Sequence, residues 1–319
     1  MSVLVFLESA DSLIKKSSIE ALVYGRHLAS QSGSSLLALA VGDVSNLSEA
    51  AAYGAEKVLH ITDARFEQTD AQAYSEAIAD AARQNSVNTI VLAKSSLTDS
   101  LTAKLASLTQ AAAATNVVSL PDYSNGFTVK RSIFTGKAFE FLQITSEKKV
   151  ISIKKNAVEV TPLAGAGALV AFIPTLSSKA FSIKTISSEK ATGEVLLSDA
   201  EIVVSGGRGL KGPENWGLIT DLAKALGAAT GCSKPVSDLH WRPHHEHVGQ
   251  TGIKVSPNLY FAIGISGAIQ HVAGISSSKV IVAINKDADA PIFKAATYGI
   301  VGDAFEVLPK LTSAIKAAQ

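Results

Sequence analysis

The sequence predicts two α/β domains: a first with a parallel sheet and antiparallel edge strands, and a second with a doubly wound parallel sheet. Three observations lead there. The chain has 319 residues, more than one average domain and comfortable for two. Short apolar runs alternate with segments of helical periodicity, the pattern of βαβ units. A polar stretch without periodicity, 187–192, interrupts that alternation and puts a boundary near residue 190. Domains of 1–189 and 190–319 follow.

In the first domain, residues 3–7 (VLVFL) are continuously apolar, as a strand buried on both faces requires. Ile19, Leu22, Val23 and Leu28 give 17–32 a helical face. Residues 36–41 and 58–61 read as strands, 72–84 as a helix and 89–93 as a buried strand. A helix over 101–108 puts Leu101, Leu105 and Leu108 on one side. Such alternation implies right-handed crossovers. After Pro121 the pattern changes. Segments 127–135 and 138–145 flank Gly136-Lys137, and 150–153 follows at once. All three are predicted as antiparallel strands closing the edge, with 181–186 a further candidate strand. The second domain restarts the alternation. It has strands at 202–204, 260–265 and 280–285, and a short one at 299–301 that turns at Asp303. Helices are predicted over 213–226, with Pro213 in the first turn, over 268–273, and over 309–318.

Composition removes several function classes. Hydrophobic residues make up 47% and charged residues 18%, which excludes a disordered chain. The net charge is +1 without a Lys/Arg run, so nothing points to nucleic acid. The single cysteine, Cys232, excludes an internal disulfide and a cysteine-ligated iron–sulfur cluster. The longest weakly polar stretch, 162–174, is too short and too rich in Gly and Ala to span a bilayer, so no membrane insertion is expected. The opening MSVLVFLE has no basic region and no cleavage site, and a cytoplasmic location is expected.

Four strand ends in the second half carry small and polar residues. Ser205-Gly206-Gly207-Arg208-Gly209 lies between a strand and a helix. Its glycines admit a close ligand, the helix start favours an anion, and Arg208 adds a cation. It matches neither a Walker loop nor the usual Rossmann spacing, and a ligand-free turn fits as well. Val248-Gly249-Gln250-Thr251-Gly252 presents Gln250 and Thr251, or is an ordinary loop. In Gly264-Ile265-Ser266-Gly267-Ala268-Ile269-Gln270-His271, Ser266 stands where an N-cap would be. The bland alternative is a capping serine and a satisfied, buried histidine. Asn285-Lys286 and Asp303 end two more strands, as ligand groups or as solvated ends. Taken as a set, the four describe a dinucleotide groove at the carboxyl edge of an open sheet.

The series SGGRGL, VGQTG, GISGAIQH, VAINKD, APIF and YGIVGD, in that order and spacing, closely resembles the FAD-binding domain of electron-transfer flavoprotein α subunits over residues 202 to about 310. VKRSIFTGKA (129–138) and SLTDSLTAKLA resemble elements of the family's first domain more loosely. The resemblance implies FAD as cofactor and a partner-binding first domain. Thr251 would sit near flavin N5 and His271 near O2, where an imidazole supports the charge that reduction places on the ring. Arg208, Ser233, Val248, Gly249, Gln250, Ser266, Gly267, Gln270, Asn285 and Asp303 fall on FAD-contacting positions. Lys234, Ala268, Ile269, Lys286 and Ala304 stand beside them. Ser266, Gln270, Asn285 and Asp303 would serve the pyrophosphate and adenosine end.

Lys234 stands where the family commonly has an arginine over the isoalloxazine, and a lysine cannot stack in that way. His240, His244, His245 and His247 cluster with Trp241, as a metal site or as a polar loop over the flavin or at the partner surface. No residue is expected to be catalytic in the enzymatic sense. The implied function is an electron carrier paired with a β subunit, between acyl-CoA dehydrogenases or similar flavoenzymes and a quinone oxidoreductase. Two alternatives stand beside it: the α subunit of an NADH-oxidising, electron-bifurcating complex, and a nucleotide-binding transferase of similar fold.

Overall fold

Six consecutive buried residues, Ser2–Leu7, form β1, and helices cover both of its faces. The structure, a computed structural model, describes residues 2–67, 70–136, 138–163, 167–183, 186, 197 and 200–318. The stretch expected to hold the boundary, 187–192, lies outside the described residues. The chain separates into two units, Met1–Phe134 with Ala138–Ser188 and Thr135–Lys137 with Glu189–Gln319.

In the first unit β1 is followed by a short hairpin, β2 (Ser9–Ala10) and β3 (Leu13–Ile14), and then by α1 (Lys16–Ser32). Next come β4 (Ser35–Val41), β5 (Lys57–Ile61), α2 (Ala71–Gln84), β6 (Val87–Ala93) and α3 (Ser96–Thr109). Five strands complete the unit: β7 (Ala112–Val117), β8 (Thr128–Ile133), β9 (Ala138–Gln143), β10 (Lys149–Ile153) and β11 (Ala168–Ala171). The sheet order is β11-β5-β4-β1-β6-β10-β7-β8-β9. Two apolar clusters sandwich it. One gathers α1 residues such as Leu22 and Tyr24 with Val5 and Val91, and the other gathers Ile78, Leu101 and Leu105 with Leu4 and Leu92.

The expectation for 150–153 is corrected here. β10 does not close the edge. It runs parallel between β6 and β7, and only β8 and β9 are antiparallel. Val150, Ile151, Ser152 and Ile153 are all buried, which suits an inner strand covered on both faces. Of 181–186, the described residues are in no strand. β7 (AAATNV) and β11 (ALVA) were not anticipated. Among the described residues no helix is long and apolar enough to cross a membrane.

The second unit is doubly wound. It runs β12 (Ile202–Gly206), α4 (Gly217–Leu226), β13 (Ala229–Cys232), α5 (Lys234–Asp238), β14 (Leu259–Ile263), α6 (Ile269–Ile275), β15 (Val280–Asn285), β16 (Tyr298–Val301) and α7 (Ala304–Ala318). All five strands are parallel, in the order β13-β12-β14-β15-β16. The chain winds outward from β12 to β13, then returns to the other side for β14. The topological switch point therefore lies between β12 and β14, where open sheets of this order bind ligands at the carboxyl ends of the strands. The predicted helix over 213–226 is a single 3-10 turn, Pro213–Trp216, followed by α4. α7 starts at Ala304, ahead of the predicted 309, and carries Pro309 within it.

Candidate cofactor-binding site

At the switch point two loops meet main chain to main chain. Gly207 N donates to Ile263 O at 2.8 Å, and Gly209 N to Gly264 O at 3.0 Å. A Cβ on Gly207 would stand 2.2 Å from Gly264 O, and one on Gly209 2.7 Å from Gly264 Cα. No side chain fits between these loops, so the glycines of the SGGRG run are what lets the ends of β12 and β14 meet. Gly206 is small for another reason: the Trp216 indole lies 2.7 Å from where its Cβ would be. Arg208 is exposed and forms no ion pair among the described residues.

The turn 248–252 wraps a buried histidine. His247 is 3% exposed. A Cβ on Gly252 would be 2.7 Å from its Nδ1, and one on Gly249 3.2 Å from its Nε2. Gln250 N donates to Gln270 O at 2.8 Å, which ties the turn to the start of α6. The side chains of Gln250 and Thr251 face outward, while Val248 is fully buried.

His271 lies on the first turn of α6, buried. Its Nε2 is 3.0 Å from the Tyr260 hydroxyl, and its Nδ1 is buried with no hydrogen-bond partner. Burial pulls its pKa down to about 4, and the nearby His247 pushes the same way. The Val248 main chain opposes them. His271 is therefore a neutral imidazole at pH 7. His247 is also lowered, by burial first and then by His244 and Lys234, with Asp238 opposing.

Three further strand ends complete the edge. Gly267, at φ +87°, packs so closely that a Cβ would be 2.2 Å from Ile292 N. Ser266 accepts from Ile292 N at 3.0 Å through its main-chain oxygen. It is not the cap of α6, as the sequence suggested. The Gly267 turn intervenes, Ala268 stands at the cap without a side-chain bond, and Ile269 and Gln270 face outward. Asn285 is committed to its own chain: Nδ2 donates to Ile265 O and Oδ1 accepts from Asp287 N, both at 3.0 Å. Asp303 Oδ1 accepts from Phe305 N at 3.0 Å and so caps α7, whose first residue, Ala304, is buried. Lys286 is exposed just past β15.

Ser233 is buried beside the switch point, its N–H donating to Gly206 O at 3.0 Å. Lys234 turns toward Asp238, with Nζ 2.8 and 2.9 Å from the two carboxylate oxygens and both side chains more than half exposed. This i,i+4 pair holds the Asp238 carboxyl below the usual range. The lysine charge is thus shared with a neighbouring anion.

Of the histidine cluster only His244 and His247 stay together, with ring centroids 5.6 Å apart. His240, His244 and His245 are exposed, while Glu246 is buried and held by Arg242 and Thr230. Among the described residues no three His, Cys, Asp or Glu side chains gather as a metal site. The Cys232 thiol, beside this loop, is pushed up to about 12, mainly by burial, and is inert.

The structure thus brings Arg208, Ser233, residues 248–251, Ser266–His271, Asn285 and Asp303 to the carboxyl ends of one sheet. Sequence reasoning missed Tyr260, read only as part of a strand; its contact with His271 joins two elements and leaves no local signal. His247 was read as part of a polar loop, but it forms the floor of the 248–252 turn.

Two family models match the chain: an electron transfer flavoprotein domain over residues 3–176, and an electron transfer flavoprotein FAD-binding domain over 196–276. The second span contains the switch-point loops, the 248–252 turn and His271. Among curated relatives, the electron transfer flavoprotein subunit alpha of Bacillus subtilis is 36% identical over 98% of this chain and 97% of its own length. That of Syntrophomonas wolfei is 36% identical over 98% of each. The mitochondrial subunit alpha of Arabidopsis thaliana is 35% identical over 98% of this chain and 88% of its own. The residues present fit FAD. The exposed Arg208 guanidinium, at the carboxyl ends of the strands beside the topological switch point, suits a pyrophosphate. Matched in both units and along nearly its whole length, the chain belongs to the electron-transfer flavoprotein α-subunit family, and its second unit is a FAD-binding domain.

Proposed function

We propose that the chain is the FAD-holding half of a heterodimeric electron carrier, with residues 1–189 serving the partner and 190–319 serving the cofactor. Its electrons come from acyl-CoA dehydrogenases or similar flavoenzymes of fatty-acid β-oxidation and go to a quinone oxidoreductase, in the cytoplasm. The observation that carries this reading is the β12/β14 switch point, with glycine loops on one side and a neutral, half-partnered His271 on the other. The relatives' shared designation as subunit alpha supports pairing with a β subunit.

Bound FAD supplies reversible electron transfer. The chain's own residues bind and orient it. The main-chain N–H groups of Arg208 and of 266–268, with the Arg208 side chain, serve the phosphates. Asn285 and Asp303 brace the loops at the adenosine end. Thr251, on a turn stiffened by His247 and tied to Gln270, faces the isoalloxazine. His271, buried beside the 248–252 turn as a neutral imidazole, adds no charge there. No substrate is transformed on this chain.

Co-expression with the β subunit tests this. Cofactor released by heat and run against standards should be FAD, one per heterodimer from this site; FMN or no flavin would end the proposal. A purified acyl-CoA dehydrogenase with its substrate should then bleach the flavin. Failure of that second step alone removes the donor and leaves the carrier.

A further inference from the structure

We propose that Lys211 is a positioning residue: clasped over the Phe305 ring, it holds the turn that carries Arg208 against the Asp303 turn, so that the groups for the phosphates and for the adenosine end meet FAD as one preformed frame. This rests on the FAD placement proposed above.

The turn after β12 is nearly spent on itself. Gly207 N and Gly209 N bond to Ile263 O and Gly264 O at the end of β14. Leu210 N donates to Gly207 O at 3.1 Å, and Lys211 N to Arg208 O at 3.0 Å. Among the described residues, Arg208 is thus the one residue of 207–211 whose main-chain N–H is not used within the chain, and its side chain is exposed. Lys211 closes this turn in the left-handed region, at φ +68°. The facing loop uses glycine for such positions, Gly264 at +61° and Gly267 at +87°. A lysine there carries a backbone cost that glycine would not. A strained residue beside a ligand site points to a task for its side chain.

That side chain reaches another strand end. Lys211 Nζ lies 4.8 Å from the centroid of the Phe305 ring, on the first turn of α7. The ring face attracts the cation. Phe305 is itself fixed, since its N–H donates to Asp303 Oδ1 at 3.0 Å. The rest of the edge is linked strand by strand. Gly302 N donates to Asn285 O, and Asn285 Nδ2 to Ile265 O, both at 3.0 Å. The strand ends therefore form a closed circuit, from β12 to β14, β15, β16 and α7 and back to β12, and the Lys211–Phe305 contact closes it. Leu210, Ala304 and Leu308 share an apolar cluster beneath this contact. Apolar burial is non-directional and does not set where the turn lies along α7; an ammonium over one ring does. FAD then binds to two turns that are already ordered relative to each other, which spares the cost of ordering them on binding. With its ammonium engaged by the ring, Lys211 acts through Phe305.

The test uses the heterodimer, stripped of FAD and titrated with FAD and separately with ADP, which covers the phosphates and the adenosine end. Lys211→Gly should weaken both by about tenfold. The denaturant midpoint of the FAD-free protein should stay at or above the parent's, because glycine takes the same φ without strain. A merely structural residue would lose stability together with affinity. Lys211→Arg keeps a cation for the ring and should bind FAD as the parent does. Phe305→Leu should reproduce the loss although Lys211 is present, and the double variant should be no weaker than the weaker single one. The midpoint potential of bound FAD should match the parent's throughout, since the frame lies at the end remote from the isoalloxazine. Parent affinity in Phe305→Leu overturns the proposal. So does Lys211→Gly with parent affinity, or with stability and affinity falling together. Parent affinity in Arg208→Ala would refute the FAD placement itself, whereas parent affinity confined to the Lys211 and Phe305 variants refutes only the role given to Lys211.

Discussion

The chain contains two parallel sheets, and each has a switch point. In the second unit the loops leaving β12 and β14 are glycines packed main chain to main chain. In the first unit the chain passes from β1 to β4 on one side and returns to β6 on the other, so its switch point lies between β1 and β6. There Glu8, just after β1, fills the position. Its carboxylate takes Lys15 Nζ and Ser95 Oγ, each at 2.5 Å. The start of α3 is closed by a capping box between Ser95 and Thr98. A cavity of about 230 Å³ remains beside it, lined by Phe6, Glu8, Tyr74 and Leu97 among others. A larger cleft in the same unit, about 610 Å³ and wide open, lies by Ser86, Asn88, Gln110 and Lys148, at the amino ends of the strands. That is the wrong edge for a ligand in such a sheet. One topology therefore yields a glycine-lined meeting of two loops where the sequence leaves main chain bare, and a self-satisfied polar plug where it supplies a carboxylate.

The largest effect should come from forcing the two glycine loops apart. Gly207→Val places carbon on Gly264 O and should cost about 3 kcal/mol or more, with FAD content reduced at least about tenfold. Gly217→Ala, whose Cβ meets nothing within 4 Å, should leave both within about 0.5 kcal/mol of the parent. Cofactor absorbance per chain and denaturant titration read the pair.

Next comes pH. His271 is held at about 4 in the fold, below its unfolded value near 6.5, so the unfolded chain takes up the proton first. Its contribution is fully present above the unfolded value and is lost as pH falls through the folded one. This should amount to roughly 3 kcal/mol by pH 4. His247, lowered as well, adds to the loss in the same direction. Unfolding titrations at pH 7 and pH 4.5 should show the parent weakening more than His271→Gln.

Opening the plug should cost less and should spare the cofactor. Glu8→Ala leaves Lys15 and Ser95 without that partner, for about 2 kcal/mol. FAD content should stay at the parent level. The smallest effect belongs to Lys234, which shares its charge with Asp238. Lys234→Ala and Asp238→Asn should move the FAD midpoint potential in opposite directions by about 10 mV each, and the double variant should return near the parent. Spectroelectrochemistry at one pH measures all three.

What the sequence disclosed was local. Glycines at strand ends, the VGQTG turn and the GISGAIQH run are short-range signals, and the fold brings them to the carboxyl ends of one sheet. What it hid was non-local or weakly patterned. β10 follows β9 directly, yet it pairs with β6 and β7, and nothing within VISI names those partners. β13 (ATGC) and β7 (AAATNV) are too small and mixed for either periodicity. Ser266 has a cap's residue type, but the positive-φ turn at Gly267 separates it from α6. The Lys234–Asp238 pair is legible in its i,i+4 spacing. The phenol–imidazole contact joins β14 to α6 and only exists once both are placed.

Hydrogen exchange of the heterodimer, with FAD bound and with FAD removed, compares the two switch points in a single experiment. Protection on FAD binding should appear at 206–210, 248–252 and 264–271, while 7–10 and 94–98 stay unchanged. Protection confined to the β1 and β6 loops, with the glycine loops unaffected, would contradict the placement of the cofactor in the second sheet.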